Sequence, residues 1–291
     1  MRQPGRRFVY AFSLSPDGFQ VFYFDRSGVV HSTVLDLNRD AVTLVQFIRM
    51  LGNPDISSLG FDPTLYWENG RQYVDIATNS SAIKYEIDRV LFQRPSLFQS
   101  GTLCWVIREV GSEAQVLMKD NWSDNDLTPE SDTLSLLAER NIPGVSRLLH
   151  VDSSYVDHRL TINALRAGQC ITGGEHKERV FSRIILELHG PSVQQCQTGL
   201  QMLRALRDAI SGTPIYLTYC PYLYFLFTAH QQLAKSGILH RDICPDNILL
   251  GEEGAPSGQR GFLVDFGKAS VCERGKVPAE KDVLTVSQGF R

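Results

Sequence analysis

The sequence has little net charge and few cysteines. Its net charge is −3 and its pI about 6.2, so it lacks the strong positive charge of proteins that bind nucleic acids non-specifically, and no nucleic-acid partner is expected. The six cysteines include no CxxC pair, which excludes the usual spacing of zinc and dithiol redox sites. So few cysteines in 291 residues favour an intracellular compartment, cytoplasmic or nuclear, over a disulfide framework.

The chain also lacks a clear hydrophobic run that could cross a membrane. After Arg6 and Arg7, the apolar N-terminal stretch is interrupted by Asp17 and Gly18, so no signal peptide is expected. One uncharged, aromatic-rich stretch, residues 213–229, has 17 residues, fewer than the ~20 that span a bilayer, and prolines break it. No membrane partner is therefore expected.

Residues 213–229 have the character of an insertion. Removing them joins AISG to HQQLAKSGILHRD and leaves an ordinary helix that runs into the following loop. We hypothesise that this segment is a translated, unspliced intron, which a mature transcript retaining the segment would contradict. Within a folded protein, its exposed aromatic side chains would promote aggregation.

Residues 1–97 are predicted to form an α+β module without recognisable chemistry. Alternating apolar residues between positions 8 and 37, separated by SPDG and DRSG, indicate β-hairpins. Apolar residues at helical spacing from 40 to 51, with Asp40 as the N-cap, predict a helix. Two more strands are expected, at 71–76 and 82–91.

A second pattern begins near residue 96. Two strands are expected around a turn at Gly111 and Ser112, and a helix is expected from about Pro129 to Arg140. Further along, the sequence indicates a buried strand that ends before Gly190, an amphipathic helix at 200–210, and two short strands around a polar loop.

That polar loop carries the strongest chemical signal, because His240, Arg241, Asp242 and Asn247 match the pattern HRDxxxxN. In phosphoryl transfer, such an aspartate accepts or orients the proton of the attacking hydroxyl, and the asparagine reaches a magnesium ion from the same loop. HRD alone is common by chance, but HRD with this asparagine and an apolar run after it is not. Asp242 and Asn247 are therefore predicted to be catalytic, and Asn247 also to bind metal.

The tripeptide Asp265-Phe266-Gly267 follows at the end of the apolar segment GFLV. Asp265 is predicted to bind the Mg²⁺ that bridges the β- and γ-phosphates of ATP, because magnesium prefers carboxylate, water and phosphate oxygens. Gly267 lets the backbone turn sharply out of the strand. A DFG tripeptide alone is usually only a turn, but in this order after HRDxxxxN it predicts a site for ATP and Mg²⁺.

Lys119, at the end of the apolar strand VLMKD, is the candidate for catalytic contact with the α- and β-phosphates. A lysine at a strand end is ordinarily only solvated, so this assignment depends on the two motifs downstream. Lys119 needs an anionic partner on the helix that follows. Glu130 is the first choice, because Leu134 and Leu137 lie at helical spacing from it and could face the core; Asp132 is the alternative.

The expected phosphate-binding loop is eroded. The template GxGxxGxV maps onto Gln99, Gly101, Cys104 and Val106, so that only the middle glycine is present. Because glycines let backbone amides approach phosphates closely, the loss of two predicts a stiffer loop and weaker nucleotide binding. Gly101 and Val106 remain candidate nucleotide-binding residues, with an ordinary turn as the alternative.

Residues 184–190, IILELHG, fit the strand and hinge against which an adenine ring stacks. Backbone groups near Glu187 and His189 are predicted to hydrogen-bond the base. Because such recognition uses the backbone, the side chains carry little information, and a buried strand without a ligand is the alternative.

Eight segments, spread over most of the chain, together form a pattern more specific than the catalytic motifs alone. They are DRSG at 25–28, LGFDP at 59–63, SGTLCW at 100–105, VLMKDNW at 116–122, GVSRLLH at 144–150, LRALRDAI at 203–210, GILHRDICPDNILL at 237–250 and LVDFGKAS at 263–270. Through them the chain resembles the fungal-type protein kinase family, a branch of the protein kinase-like superfamily.

The resemblance implies an α+β, bilobal protein kinase-like fold. It implies an N-terminal accessory module at 1–97, a kinase N-lobe and hinge at 98–190, and a partial C-lobe at 191–291. It also implies ATP and Mg²⁺ as cofactors and a protein as the partner that supplies the acceptor hydroxyl, of the serine/threonine type. The identity of that protein does not follow from the resemblance.

Two features depart from the family pattern. Cys244 stands where serine/threonine kinases commonly carry a lysine that neutralises charge on the γ-phosphate, which a thiol cannot do; this weakens the serine/threonine assignment. The chain also ends at Arg291, before an APE-like motif and the helices of a C-lobe, so we expect this chain to be marginally stable or inactive.

Three functional hypotheses remain open. The first is an active protein kinase in its full-length form. The second is a pseudokinase or nucleotide-binding scaffold, favoured by the eroded glycine loop and Cys244 but opposed by the intact Lys119, Asp242, Asn247 and Asp265. The third is a small-molecule kinase of the aminoglycoside or choline type, which usually lacks an arginine like Arg241 and the complete DFG.

Overall fold

The computed structural model describes residues 4–79, 81–94, 96, 98, 100–168, 176–210 and 237–271. The chain divides into two compact units, the first comprising residues 1–125 and 150–185 and the second residues 126–149 and 186–291. The segment 213–229 and the residues from 272 onwards lie outside the described part of the chain, so the hypotheses of an unspliced intron and of a missing C-lobe stay predictions.

Helices and strands alternate irregularly along the described residues. The helices are α1 (Ala41–Leu51), α2 (Glu130–Glu139), α3 (Ser154–Asp157), α4 (Ile162–Gly168) and α5 (Gly199–Ile210). The strands are β1 (Val9–Ser15), β2 (Gly18–Asp25), β3 (Gly28–His31), β4 (Leu65–Glu68), β5 (Arg71–Ala77), β6 (Ala82–Gln93), β7 (Leu103–Glu109), β8 (Gln115–Asp124), β9 (Leu148–Val151), β10 (Arg179–Glu187), β11 (Ile238–Leu239), β12 (Ile248–Leu250), β13 (Gly261–Leu263) and β14 (Ser270–Val271).

The first unit begins with an antiparallel meander of β1, β2 and β3, which confirms the hairpins expected between residues 8 and 37. Helix α1 follows where its apolar spacing predicts it. Asp40 occupies the N-cap position, but its side chain accepts the N–H of Asp36 instead of capping the helix. The buried ring of Phe47 packs edge-on against Tyr10, so one face of the helix is anchored to the meander.

A seven-stranded sheet in the order β4-β5-β6-β7-β8-β10-β9 follows the meander. From β4 to β8 each strand pairs antiparallel with the next, as expected where short turns join neighbours. The sequence suggests a boundary at residue 97, and β6 and β7, which pair with each other, come from before and after it in the chain. The division of the chain into three parts stays a prediction of the sequence.

A buried ion network lies within the first unit. Arg183 on β10 is fully buried; its guanidinium donates to Asp120 at 2.7 and 2.9 Å and to Asp62 at 2.7 Å. Burial alone would lower the pKa of Arg183, but the carboxylates of Asp120 and Asp62 raise it well above its ordinary value. Arg7 donates to the same Asp62 at 2.9 Å, which ties the N-terminal residues to the sheet.

A second buried ion pair fixes the DRSG turn at 25–28. Arg166 on α4 donates from two nitrogens to the carboxylate of Asp25, at 2.7 and 3.1 Å. The same carboxylate accepts the backbone N–H groups of Ser27 and Gly28, which shapes the turn. This sequence motif therefore has a structural role, since it joins the meander to α4.

In the second unit, α5 packs on the hairpin formed by β12 and β13. The contact is close because Ala205 faces Gly261: a Cβ atom on Gly261 would lie 2.1 Å from the carbonyl oxygen of Ala205. Only glycine fits this backbone approach. Helix α5 also confirms the helix predicted at 200–210.

The predicted α+β class is confirmed by these elements, in which mostly antiparallel strands and separate helices both contribute to the core. Among the described residues, no helix combines the length and the apolar character needed to cross a membrane.

Candidate active site

Two short antiparallel pairs bring the HRDxxxxN loop and the DFG tripeptide side by side. β12 pairs with β13, which places Ile248 opposite Leu263. β11 pairs with β14, which places Leu239 opposite Ser270. The loop 240–247 connects β11 to β12, and residues 264–269 connect β13 to β14. Because each connection is paired at both ends, the two segments are held next to each other.

The ring of His240 joins these two segments. It is fully buried, and its Nε2 atom lies 3.0 Å from the carbonyl oxygen of Val264, to which it donates. Its Nδ1 atom accepts the backbone N–H of Asp242 at 3.3 Å, which assigns the proton to Nε2. The ring of Phe266 packs edge-on against it at 4.6 Å. One imidazole thus fixes the backbone on both sides of the site.

Two residues of the site have a left-handed backbone. Arg241 and Asp265 both have φ of +65°, which is rare for residues other than glycine. Such conformations cost about 1–3 kcal/mol each and persist where the surroundings determine them, commonly at functional sites. Both residues lie beside the predicted catalytic atoms, so the strain is located where the sequence places the chemistry.

The side chain of Asn247 turns back onto the catalytic loop. Its Nδ2 group donates to the carbonyl oxygen of Asp242 at 2.8 Å. The backbone of Asn247 is also fixed, because its N–H donates to Cys244 and its carbonyl oxygen accepts the N–H of Val264. The structure therefore places the amide of Asn247 against the backbone of Asp242 and leaves its Oδ1 atom as the one suited to a metal ion. The convergence of the two side chains on a metal-bound phosphoryl group stays a prediction.

Two side chains near Asp242 differ in charge. The ammonium of Lys268 lies 2.9 Å from the Oδ2 atom of Asp242, in an ion pair that sequence reasoning missed. Burial, and then the carboxylate of Asp242, raise the pKa of the Cys244 thiol above its ordinary value. Cys244 is thus a neutral group at physiological pH, and the positive charge beside Asp242 comes from Lys268.

Glu130 at the start of α2 contacts the DFG turn. Its buried carboxylate accepts the backbone N–H of Phe266 at 3.0 Å. Leu134 and Leu137 are buried, as expected for the face of α2 that carries Glu130, whereas Asp132 is exposed. Of the two acidic candidates on this helix, Glu130 is the inward-facing one. Its pairing with Lys119 stays a prediction.

The predicted hinge has one constraint that its sequence does not show. The N–H of Glu187 donates to the carbonyl oxygen of Arg147 at 3.0 Å, so a base bound there would need other backbone groups, such as those of His189. The His189 ring stacks on Phe262 with centroids 3.8 Å apart. Burial lowers the pKa of His189 to about 4, which keeps the ring neutral at physiological pH.

The remaining predicted residues lie in the first unit. On the β7–β8 ladder, Cys104 stands opposite Lys119 and Val106 opposite Leu117. Because facing residues and alternate residues of a strand share a side, Lys119 and Val106 lie on the same face of the sheet. Lys119 is almost completely buried, at 4% exposure, so the alternative of a solvated strand end is wrong for this lysine.

Gly101 has φ of +50°, and a Cβ atom at this position would lie 2.4 Å from the guanidinium carbon of Arg26. Arg26 belongs to the DRSG turn and donates to the carbonyl oxygen of Ser96 at 2.9 Å. The surviving glycine of the phosphate-loop template is therefore covered by an arginine from the meander. Gln99, mapped to the same template, lies outside the described residues.

The predicted magnesium site consists of two oxygen donors in the second unit. Among the described residues, no three His, Cys, Asp or Glu side chains form a metal-binding group. Magnesium is commonly held by one or two protein oxygens together with phosphate oxygens and water, and the Asp265 carboxylate and Asn247 amide match that pattern. Metal binding by these two residues stays a prediction.

Comparison with known proteins agrees with the motifs. Residues 1–287 match the family described as "Fungal protein kinase". None of the curated proteins matches the chain. Many solved structures match, among them the kinase PK-1 of Cydia pomonella granulovirus, which is 17% identical, with a TM-score of 0.36, over 64% of this chain and 52% of PK-1.

The chain thus spans about half the length of PK-1, and a likeness this weak supports no statement about function. The family match is different in kind, because it covers nearly the whole chain and includes both the meander and the HRD and DFG segments. The chain belongs to the fungal protein kinase family.

Proposed function

We propose that this chain is part of a protein kinase that transfers the γ-phosphate of ATP, with Mg²⁺, to a serine or threonine hydroxyl of a protein substrate. The observation that carries the proposal is the bridge made by His240, which holds the segments of Asp242 and Asp265 together. Family membership supports kinase chemistry, and the acceptor, cofactor and metal are our inference from the residues of the site.

In this proposal, each residue of the site has a defined task. Bound Mg-ATP supplies the phosphoryl group and the counter-charge that its transfer needs. Asp242 orients the acceptor hydroxyl and takes its proton. Asn247 and Asp265 hold the metal ion, and Lys119 binds the α- and β-phosphates. Gly101, Val106 and the backbone near His189 complete the nucleotide contacts, and Glu130 stabilises the DFG turn through Phe266.

The test is phosphoryl transfer by the full, correctly spliced chain. Transfer from γ-labelled ATP to a generic protein should require Mg²⁺ and disappear in Asp242→Asn, which keeps the size of the side chain. The labelled protein is then hydrolysed and its phosphoamino acids are separated. Phosphoserine and phosphothreonine support the proposal, whereas phosphotyrosine, or transfer to choline or an aminoglycoside only, contradicts the acceptor class.

A nucleotide-binding scaffold without catalysis is the second candidate. It is favoured by Arg26 over the single remaining glycine and by the neutral thiol of Cys244. Thermal unfolding separates the two candidates: an increase in Tm with ATP, without any Mg²⁺-dependent transfer, indicates a scaffold. An increase in Tm together with transfer indicates an enzyme.

We also propose an intracellular location. Among the described residues, Cys196 and Cys244 are free thiols, as expected in a reducing compartment. Alkylation of these cysteines in protein isolated without reductant would support this proposal, whereas disulfide-linked peptides containing them would contradict it.

A further inference from the structure

The catalytic loop has no positive charge of its own after Asp242. The residues between Asp242 and Asn247 are Ile243, Cys244, Pro245 and Asp246, and none of them is basic. In transfer to a hydroxyl, negative charge is spread over the oxygens of the phosphoryl group next to the orienting carboxylate, and cations placed there stabilise it. A loop with Cys244 therefore needs a cation from elsewhere in the chain.

Lys268 is placed to supply it. Its ammonium lies 2.9 Å from Asp242, and its side chain is 62% exposed, whereas that of Asp242 is 14% exposed. The ammonium is therefore the more exposed partner of this ion pair. A phosphate and an acceptor hydroxyl that approach Asp242 from solvent would come close to this positive charge.

The local fold holds the backbone of Lys268 at this point. Lys268 ends a short 3₁₀ turn that begins at Phe266, and Ala269 donates to the carbonyl oxygen of Phe266 at 2.9 Å. Before the turn, Phe266 is anchored by Glu130 and the ring of His240. After it, Ser270 pairs with Leu239 in the β11–β14 ladder. With its backbone fixed on both sides, only the lysine stem remains adjustable.

We propose that Lys268 is the positioning cation of the catalytic loop, orienting the Asp242 carboxylate and providing the positive charge for the γ-phosphate that Cys244 does not provide. This inference rests on the proposed function. In this proposal, the positive charge comes from the residue after the DFG tripeptide instead of from the loop between Asp242 and Asn247.

The exposure of Lys268 makes the inference testable without unfolding the protein. Ion pairs between exposed side chains contribute little to stability, so Lys268→Met, which keeps the length of the side chain, should leave Tm nearly unchanged. Lys177 offers a matched control, because it forms an ion pair with Asp124 in the first unit and its side chain is 58% exposed. Lys177→Met removes the same charge away from the site.

The first measurement is binding, which does not depend on catalysis. The dissociation constants of ADP and of a non-hydrolysable β,γ-imido ATP are measured with Mg²⁺ for the full, correctly spliced chain without substitutions (the unchanged chain) and for each variant. Lys268→Met should reduce the preference for the triphosphate by about tenfold, as expected for loss of one charged contact. Lys268→Arg should reduce this preference less, and Lys177→Met should leave it unchanged.

The second measurement is rescue. Adding Cys244→Lys to Lys268→Met should restore most of the triphosphate preference and of kcat, because the positive charge returns at position 244 of the catalytic loop. A purely structural role of Lys268 would not respond to a lysine at 244. The inference is overturned if Lys268→Met changes neither the triphosphate preference nor kcat, if it raises kcat, or if Cys244→Lys gives no recovery.

The proposed function and this inference fail in different ways. If the unchanged chain binds neither nucleotide, both are overturned. If it binds the triphosphate with a preference that depends on Lys268, but transfers no phosphate, the enzymatic proposal fails and the assignment of the charge stands. If it transfers phosphate equally well with and without the Lys268 ammonium, the enzyme stands and the inference fails.

Discussion

The imidazole of His240 and the carbonyl oxygen of Val264 lie 3.0 Å apart, so the loop that carries Asp242 is hydrogen-bonded to the residue that precedes Asp265. This one hydrogen bond fixes the position of one motif relative to the other, although the two are separated in the sequence. The geometry of the site should therefore depend on a ring that itself touches no substrate.

Replacing this histidine should loosen the site. In His240→Ala, the carbonyl of Val264 and the N–H of Asp242 lose their partner, which should cost about 1–3 kcal/mol of unfolding free energy. Phosphoryl transfer should fall further, by about 10²-fold, because small displacements of catalytic groups are costly. Urea unfolding and initial rates measure both effects. The exposed His150 provides the control, and equal effects of His150→Ala would contradict this prediction.

The Arg183 network should respond very differently from exposed ion pairs. Arg183→Met leaves the buried carboxylates of Asp120 and Asp62 without their main partner, and breaking a buried pair in this way costs about 3–5 kcal/mol. Arg71→Met removes an exposed pair with Glu86 and should cost less than ~1 kcal/mol. Denaturant unfolding should show a loss of unfolding free energy several-fold larger for Arg183→Met than for Arg71→Met. Similar losses in the two variants would show that the buried network contributes no more to stability than an exposed ion pair.

His189 should make stability depend on pH. Its folded-state pKa of about 4 lies below the ordinary value of 6.5, so the unfolded chain binds a proton first as the pH falls. This contribution to stability is complete above pH 6.5 and is lost progressively as the pH approaches 4. In His189→Phe, which keeps the stacking on Phe262, the decline of Tm between pH 6.5 and 5 should become shallower. An unchanged slope would contradict the assignment.

The contact between Gly101 and Arg26 predicts a specific double-mutant effect. Gly101→Ala introduces a Cβ into the guanidinium of Arg26 and also forces a residue with a side chain to φ of +50°. The backbone cost alone is about 1–2 kcal/mol. Gly70→Ala, at φ of +77° with no atom within 4 Å of the new Cβ, measures that cost by itself.

Any additional loss of stability in Gly101→Ala comes from Arg26 and should be relieved in the double variant Arg26→Ala/Gly101→Ala, measured against Arg26→Ala alone. Equal losses for the two alanine substitutions, with no relief, would show that Arg26 moves aside without cost.

Much of the local structure could be predicted because the sequence pattern is local. The meander, α1, α2, α5 and the strands around Gly111 follow from alternation, helical spacing and turn residues, and the structure confirms them. The sequence does not predict helices α3 and α4, which are short; Ile162 of α4 is buried in a cluster with Trp122 and Phe181. Such contacts depend on distant residues, which periodicity does not report.

At the candidate site, too, the features set by local sequence patterns could be predicted and those set by distant contacts could not. The residues of the two motifs could be named because their spacing is fixed by the chemistry, and the structure places the amide of Asn247 against the backbone of Asp242. Lys268 and Arg26 could not be named, since each acquires its role from a neighbour far away in the chain. The sequence predicts Glu130 as the partner of Lys119, whereas the hydrogen bond of Glu130 to Phe266 has no signal in the sequence.

The position of Asp62 in the buried ion network matters for the design of shorter versions of this protein. A fragment trimmed to begin at residue 98 would keep Arg183 and Asp120 but discard Asp62 and Thr64, which accept hydrogen bonds from the same buried guanidinium, together with β4, β5 and β6 of the same sheet. Such a fragment would expose a sheet edge and leave a donor of the buried guanidinium without its acceptor, so poor expression would say nothing about the enzyme it was meant to isolate.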